Sequence, residues 1–293
     1  MSADPVLAIH LGQPDTSGED HFTTVIEPTR GWAPLELDQL WRYRELLYFL
    51  AWRDIKVRYK QTVLGAAWVV VQPLVTVLIF TVVFGHFAKI PSEGVPYPVF
   101  AFCGLLPWTF FATALTRSSN SLVTNANLVS KVYFPRLIMP LSASLAGLLD
   151  FAISFVVLLV MMLVARVAPT AGVVFLPFFL LLALAAALAL GLWFSALNVR
   201  YRDVNYLIPF IAQIGVYATP VAYPASLIHN NLLHAAYFLN PMAGAVEGFR
   251  WALLGSKELD LPSLGISVAV TVALLIGGLY YFRRMEQQFA DVV

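Results

Sequence analysis

Apolar runs about as long as a bilayer is thick alternate along this chain with short polar stretches, which predicts an all-α membrane protein. Six segments read as spans of about 20 residues, enough to cross a ~30 Å hydrocarbon core: Leu64–Phe87, Tyr97–Leu115, Ile138–Val164, Val173–Leu197, Tyr206–Val221 and Leu264–Phe282. Pro209, Pro220 and Pro224 interrupt the fifth, as is tolerated where neighbouring helices satisfy the freed carbonyls. An even count puts both termini on one side. Ahead of the first span, Leu37, Leu40, Trp41, Leu47, Tyr48, Ala51, Ile55 and Tyr59 fall near one helical stripe, with Glu36, Arg42, Glu45, Arg53 and Lys56 elsewhere. That pattern predicts an amphipathic interface helix over residues 35–62, lying along the cytoplasmic leaflet. Residues 222–262 are too interrupted for an ordinary span and too apolar for a solvated loop, and predict an outer re-entrant helix pair. The expected organisation is a tail over 1–34, the interface helix over 35–62 and a six-helix transmembrane domain over 63–293.

Composition excludes a soluble fold: 59% of residues are hydrophobic and 12% charged, with mean hydropathy +0.76. One cysteine, Cys103, rules out an internal disulfide framework. Residues 1–40 carry seven acidic side chains against Arg30, and contain four prolines, which suits a partly disordered cytoplasmic tail. Of the 18 Lys and Arg residues, fourteen fall on the side of the N-terminus in the six-span scheme, against Lys89, Arg166, Arg250 and Lys257 on the other. This bias puts both termini in the cytoplasm.

Candidate chemistry is sparse. No phosphate loop occurs, since "LLGSKE" around Gly255 lacks the paired glycines and the Lys-Ser/Thr ending; the five histidines show no metal spacing, and there is no nucleophile elbow. Asp150 is the acid inside a span, a functional candidate by default. The favoured alternative is a packing hydrogen bond to Ser142, Ser144, Ser154 or another helix, because one acid makes a poor proton relay. Arg53, Lys56, Arg58 and Lys60 precede the first span and suit topology anchoring, or a cytoplasmic rim that attracts a lipid headgroup. Trp108, Phe110 and Phe111 follow Pro107, and Tyr217 and Tyr223 bracket the end of the fifth span; such rings would line a sugar path or simply pack. In "NANLVSKVYFPRLIMP", Asn127 is expected to cap a short helix over Leu128–Tyr133 closed by Pro135. Leu128, Val129, Lys131, Val132 and Phe134 would then be available to a motor subunit. If Pro241 opens a helix, Glu247 and Arg250 stand three residues apart as a candidate outer gate or a solvated pair.

Five segments, "IEPTRGW" at 26–32, "LWRYRELLYFLAWRDIKVRYKQTVLGAAW" at 40–68, "LVSKVYFPRLIMP" at 128–140, "NVRYRDV" at 198–204 and "LNPMAGAVEGFRWALLG" at 239–255, together resemble the permease subunits of type-2 ABC exporters. The branch is the one that exports lipid-linked polysaccharides such as O-antigen, teichoic acid and capsule. The resemblance implies a homodimer above two separate ATPase chains, which hold the ATP and Mg, with no cofactor on this chain, no enzymatic activity of its own and no nucleic-acid partner. It implies that 35–60 is an interface helix, 127–134 a coupling helix facing the ATPase and 225–255 an outer gate, in a bacterial inner membrane. Type-2 exporters of drugs or small lipids share the fold and remain an alternative, as does an integral membrane glycan-modifying enzyme.

Overall fold

A computed structural model of the chain describes residues 37–60, 65–255, 259–286 and 289, and every regular element among them is helical. The expected tail, 1–34, lies outside these residues. Helices α1 (Leu37–Arg42) and α2 (Arg44–Lys60), joined at Tyr43, occupy the residues expected as an interface helix. The expected stripe is partly buried: Leu40 and Leu47 pack on the core, and Ala51, Ile55 and Tyr59 are half-buried. Leu50 is the buried residue of α2 and Leu47 packs beside it, whereas Trp41, Tyr48, Phe49 and Trp52 are exposed. Apolar residues therefore sit on both faces: the inner face packs on the bundle, and an aromatic face remains outside.

The first span is α3 (Gly65–Phe80) continued by a π-helical segment, Thr81–Phe87, with Pro73 inside. Helix α4 (Tyr97–Thr124) runs for 28 residues, or ~42 Å at 1.5 Å per residue. It outruns the expected Tyr97–Leu115 because Thr116 back-bonds to Ala112 and the polar run after it stays helical. Arg117, expected in a loop, is therefore part of the helix. A short α5 (Ala126–Lys131) leads to the third span, α6 (Ile138–Leu145) and α7 (Gly147–Val164). A 3-10 turn at Ala171–Phe175 opens α8 (Leu176–Arg200), followed by α9 (Val204–Ala218), α10 (Asn231–Tyr237), α11 (Pro241–Leu254) and α12 (Leu261–Glu286).

Among the described residues five stretches are long and apolar enough to cross a membrane: Ala67–Phe87, Tyr97–Thr124, Ile138–Val164, Ala171–Arg200 and Leu261–Glu286. The segment expected as a further span is the 15-residue α9, ~22 Å long. It stops at Ala218 because Pro220 biases Thr219 to the extended backbone it adopts (φ −114, ψ 148).

Helix α4 is the axis of the bundle. Its apolar window is 78% buried against 11% for α3, and α8, α6, α11, α7, α3 and α9 all pack on it. Trp108 of α4 lies so close to Gly215 of α9 that a Cβ there would meet the indole at 2.5 Å and force it to shift. Helix α11 is inserted among α4, α8 and α12 and buries most of its residues. Asn240 caps it by accepting from the Met242 amide at 3.0 Å and also donates to Thr219 Oγ1 at 2.8 Å, fastening the start of α11 to the end of α9. Such a cap contributes about 1 kcal/mol.

Candidate functional site

At the pole where the interface helix meets the bundle, Asp150 of α7 gathers three donors. Arg58 Nη1 and Arg117 Nη2 both donate to its Oδ2, the latter at 2.7 Å, and Tyr59 Oη donates to Oδ1 at 2.6 Å. The serine partners expected for Asp150 are not used: Ser142 and Ser144 back-bond to Met139 and Pro140, and Ser154 reaches the Val69 carbonyl. A carboxylate in an apolar helix takes the strongest donors in reach, and two guanidinium groups outcompete hydroxyls. Burial, followed by the bond to Asp150, pushes the Tyr59 phenol up to about 12, which keeps it a donor at neutral pH. The clasp joins α2, α4 and α7.

Arg53 is also engaged, to Asp54 Oδ1 at 2.8 Å and to Asn125 Oδ1 at 2.9 Å. Of the four cations expected at a headgroup rim, Lys56, over the Trp52 ring at 5.6 Å, and Lys60 remain exposed, while Arg53 and Arg58 tie α2 to the bundle.

Helix α5 begins one residue after Asn125, not after Asn127, and its backbone start is fixed without a side-chain cap. Val129 and Phe134, expected to face a motor subunit, are 3% and 5% exposed and pack with Leu50, Leu122 and Phe282. Leu128 is half-buried. The exposed surface here is Asn127, Ser130, Lys131, Val132 and Tyr133. A six-residue helix has little more than one turn to bury, and Val129 is its buried position.

Above the clasp a cavity of about 520 Å³ opens between α3, α4 and α7. Arg58, Arg117 and Asp150 close one end, Trp108, Phe110 and Phe151 form a wall, and Trp68 and Gln72 on the exposed side of α3 mark its mouth. Trp108, Phe110 and Phe111 are themselves core residues, with the Phe111 ring tilted at 45° to Trp108 and its centroid 5.2 Å away. Tyr217 differs: it is exposed on α9 in one stripe with Tyr206, Phe210 and Ile214. Tyr223 is held through Tyr217 O and the Tyr237 hydroxyl, each at 2.9 Å.

At the opposite pole, Glu247 and Arg250 pair at 3.1 Å. The pair is not a solvated face: Arg250 is 1% exposed. Its guanidinium donates to the carbonyls of Val221 and Tyr223, and its carbon lies 3.9 Å from the Phe100 ring centroid, while Glu247 accepts from the Ala225 amide at 3.0 Å. Gly104 of α4 makes room for it; a Cβ there would sit 2.6 Å from Arg250 Nη2. The two charges therefore pin the loop 221–225 between α4 and α11.

The ABC-2 type transporter family matches residues 45–254, more than two thirds of the chain. The chain belongs to that family. Within this ABC-2 protein the matched region runs from α2 to the end of α11, and so takes in the clasp, the cavity and the Arg250 cluster. The chain is similar to an O-antigen export system permease protein RfbA from Myxococcus xanthus, 32% identical over 87% of this chain and 98% of the relative. It is also similar to an RfbA permease from Klebsiella pneumoniae (28%, covering 85% of this chain and 95% of the relative) and to the polysialic acid transport protein KpsM from Escherichia coli (25%, 80% and 91%).

Sequence reasoning missed Arg117, Tyr59, Asn125 and Trp68. A signal existed for Arg117, because a lone carboxylate in an apolar helix demands counter-charges and Arg117 lies two residues past the expected second span.

Proposed function

We propose that this chain is the permease subunit of an ATP-driven exporter that moves a lipid-linked polysaccharide across a bacterial inner membrane. The observation that carries the reading is the 32% identity that extends over 98% of an O-antigen export permease. In this reading two copies stand over two separate ATPase subunits, which supply the ATP and Mg. Helix α9 is the fifth of six crossings, α10 and α11 form the outer re-entrant pair, and both termini are cytoplasmic; the fourteen-to-four distribution of Lys and Arg supports that orientation.

Three roles follow. Lys131, Val132 and Tyr133 are the contact with the ATPase, since they are what α5 and its exit expose. The stripe Tyr206, Phe210, Ile214 and Tyr217 on α9 faces the glycan, whose sugar rings stack on aromatic faces without fixed hydrogen bonds. Glu247 and Arg250 hold the outer gate shut at rest. Deleting the gene in its host should strip the surface of the glycan and leave lipid-linked polymer on the cytoplasmic side, with recovery from a plasmid copy. Undiminished surface glycan, with sensitivity to drugs or small lipids instead, would favour the small-substrate exporters and refute this reading.

A further inference from the structure

Lys131, Val132 and Tyr133 form an exposed arch held between two buried anchors. The near anchor is Val129 of α5. The far one is Phe134 with Leu137, which pack in one cluster with Phe282, Met285 and Phe289, in and just past α12. The backbone at Val132 is extended (φ −126, ψ 131), so the arch has left the α5 ladder and its position is set by its anchors. Polar bonds reinforce the far anchor. The Arg136 amide, in the turn that leads into α6, donates to Glu286 Oε1 at 3.1 Å, and Arg136 Nη1 donates to the Glu286 carbonyl. That carbonyl is the last of α12, one of the four that a helix cannot satisfy internally. The exchange is therefore reciprocal: Glu286 holds the entrance of α6, and Arg136 caps the end of α12, across 150 residues of chain. Arg283, one turn back on α12, donates to the other carboxylate oxygen at 3.1 Å and orients it. The Arg136 guanidinium carbon also lies 5.9 Å from the Phe289 ring centroid. The Glu286 side chain is 17% exposed, so these bonds form mostly away from water, where bonds to a charged group are strongest.

We propose that Glu286 is a positioning residue for coupling to the ATPase: by bonding the Arg136 amide it fixes the far anchor of the arch, and so sets where Lys131, Val132 and Tyr133 stand. The role rests on the reading of that arch as the ATPase contact. Removing the carboxylate leaves the apolar cluster of Phe134, Leu137, Phe282 and Phe289 in place. It frees the Arg136 amide, and the arch then moves without the bundle unfolding. What matters is an acceptor at Oε1. A glutamine amide oxygen can take the same bond, although its amide nitrogen then faces the Arg283 donor, so Glu286→Gln keeps part of the hold and Glu286→Ala none.

The test uses the permease co-purified with its ATPase and reconstituted in phosphatidylcholine nanodiscs. Glu286→Ala should weaken the hold of the permease on the ATPase about tenfold, the scale of one lost hydrogen bond to a charged group, as read from dissociation on dilution. The KM for ATP should stay within twofold, because the nucleotide is held by the other chain. Hydrogen exchange should rise in residues 131–137 and stay unchanged in α4 and α8, a local pattern that a merely stabilising carboxylate would not give. Glu286→Gln should recover part of the affinity and of the protection. ATPase affinity within twofold of wild type for Glu286→Ala would overturn the proposal. Exchange that rises throughout the bundle, with equal losses for the alanine and glutamine variants, would assign Glu286 to stability alone and overturn it as well. If Glu286→Ala does not assemble, Arg136→Gln decides: it withdraws the donor to the Glu286 carbonyl, and unchanged exchange in 131–137 would refute the reciprocal hold. Full ATPase affinity in Lys131→Glu with Tyr133→Ala would sink the reading of the arch as the contact. Loss in that variant beside a silent Glu286→Ala would sink this inference alone.

Discussion

Replacing Arg250 tests how the loop 221–225 is held. Arg250→Ala leaves Glu247 buried beside the Ala225 amide without its counter-charge and leaves the Val221 and Tyr223 carbonyls without their donor. Breaking a buried pair by removing one partner costs ~3–5 kcal/mol, and each orphaned buried carbonyl adds about 1–3 kcal/mol. These contributions overlap, so a loss of about 4–6 kcal/mol is the working figure. In a chain this size each kcal/mol moves the melting temperature by roughly 2–4 °C, which makes a drop on the order of 10 °C or more. Glu247→Gln should cost less, because the amide oxygen still accepts from Ala225 and Arg250. The double variant Glu247→Leu/Arg250→Met should recover most of the single-variant loss, since an apolar pair removes both charges together. Thermal unfolding in detergent, followed by size-exclusion fluorescence, measures all three, and planar-bilayer recording of Arg250→Ala should show raised resting ion conductance. An Arg250→Ala protein melting within 2 °C of wild type would refute the reasoning, because a side chain with three partners in the core cannot be removed silently.

Coupling should reside in the exposed edge after α5: Lys131→Glu with Tyr133→Ala should suppress transport and ATPase stimulation while the permease stays folded, as read in a reconstituted complex. Val129→Asp should instead lower stability by several kcal/mol through a buried charge, seen as lost expression and not as uncoupling. In a Cys103→Ser background, Asn230→Cys should label from outside intact cells and Tyr133→Cys only after permeabilisation; the reverse pattern would invert the topology. Tyr217→Ala should slow export by a few-fold, matching ~1 kcal/mol for one aromatic contact, with melting unchanged. Trp108→Ala should act mainly on stability, by ~3–5 kcal/mol, and equal melting temperatures for the two variants would erase the distinction between lining and core.

Much of this arrangement was legible from periodicity and length. The apolar runs marked five stretches long enough to cross a membrane and one, α9, that is shorter; Pro241 marked the start of α11, and the i,i+3 spacing of Glu247 and Arg250 marked a pair that does form. What could not be read was which side of each helix faces in. Residues 35–60 carry apolar side chains on both faces, so the pattern alone could not choose between Leu50, which is buried, and Tyr48, which is not. Val129 looked available for the same reason: a single turn has no periodicity to distinguish an inner from an outer position. Long-range pairing was hidden more deeply. Arg58 and Asp150 are 92 residues apart, and Arg117 entered the picture only because α4 continues past the apolar run that flagged it.

The single amide of Asn125 has a mechanical consequence. It sits at the junction of α4 and α5, receives Arg53 of α2 on its oxygen and donates through its nitrogen to the Ser121 carbonyl. The side chain is therefore a pin shared by α4, the start of α5 and α2. Lys131 ends α5 six residues beyond Asn125, and Arg58, five residues beyond Arg53 along α2, lines the cavity. Through one side chain, then, α4 and the start of α5 are tied to α2, and α2 in turn supplies Arg58 to the cavity lining.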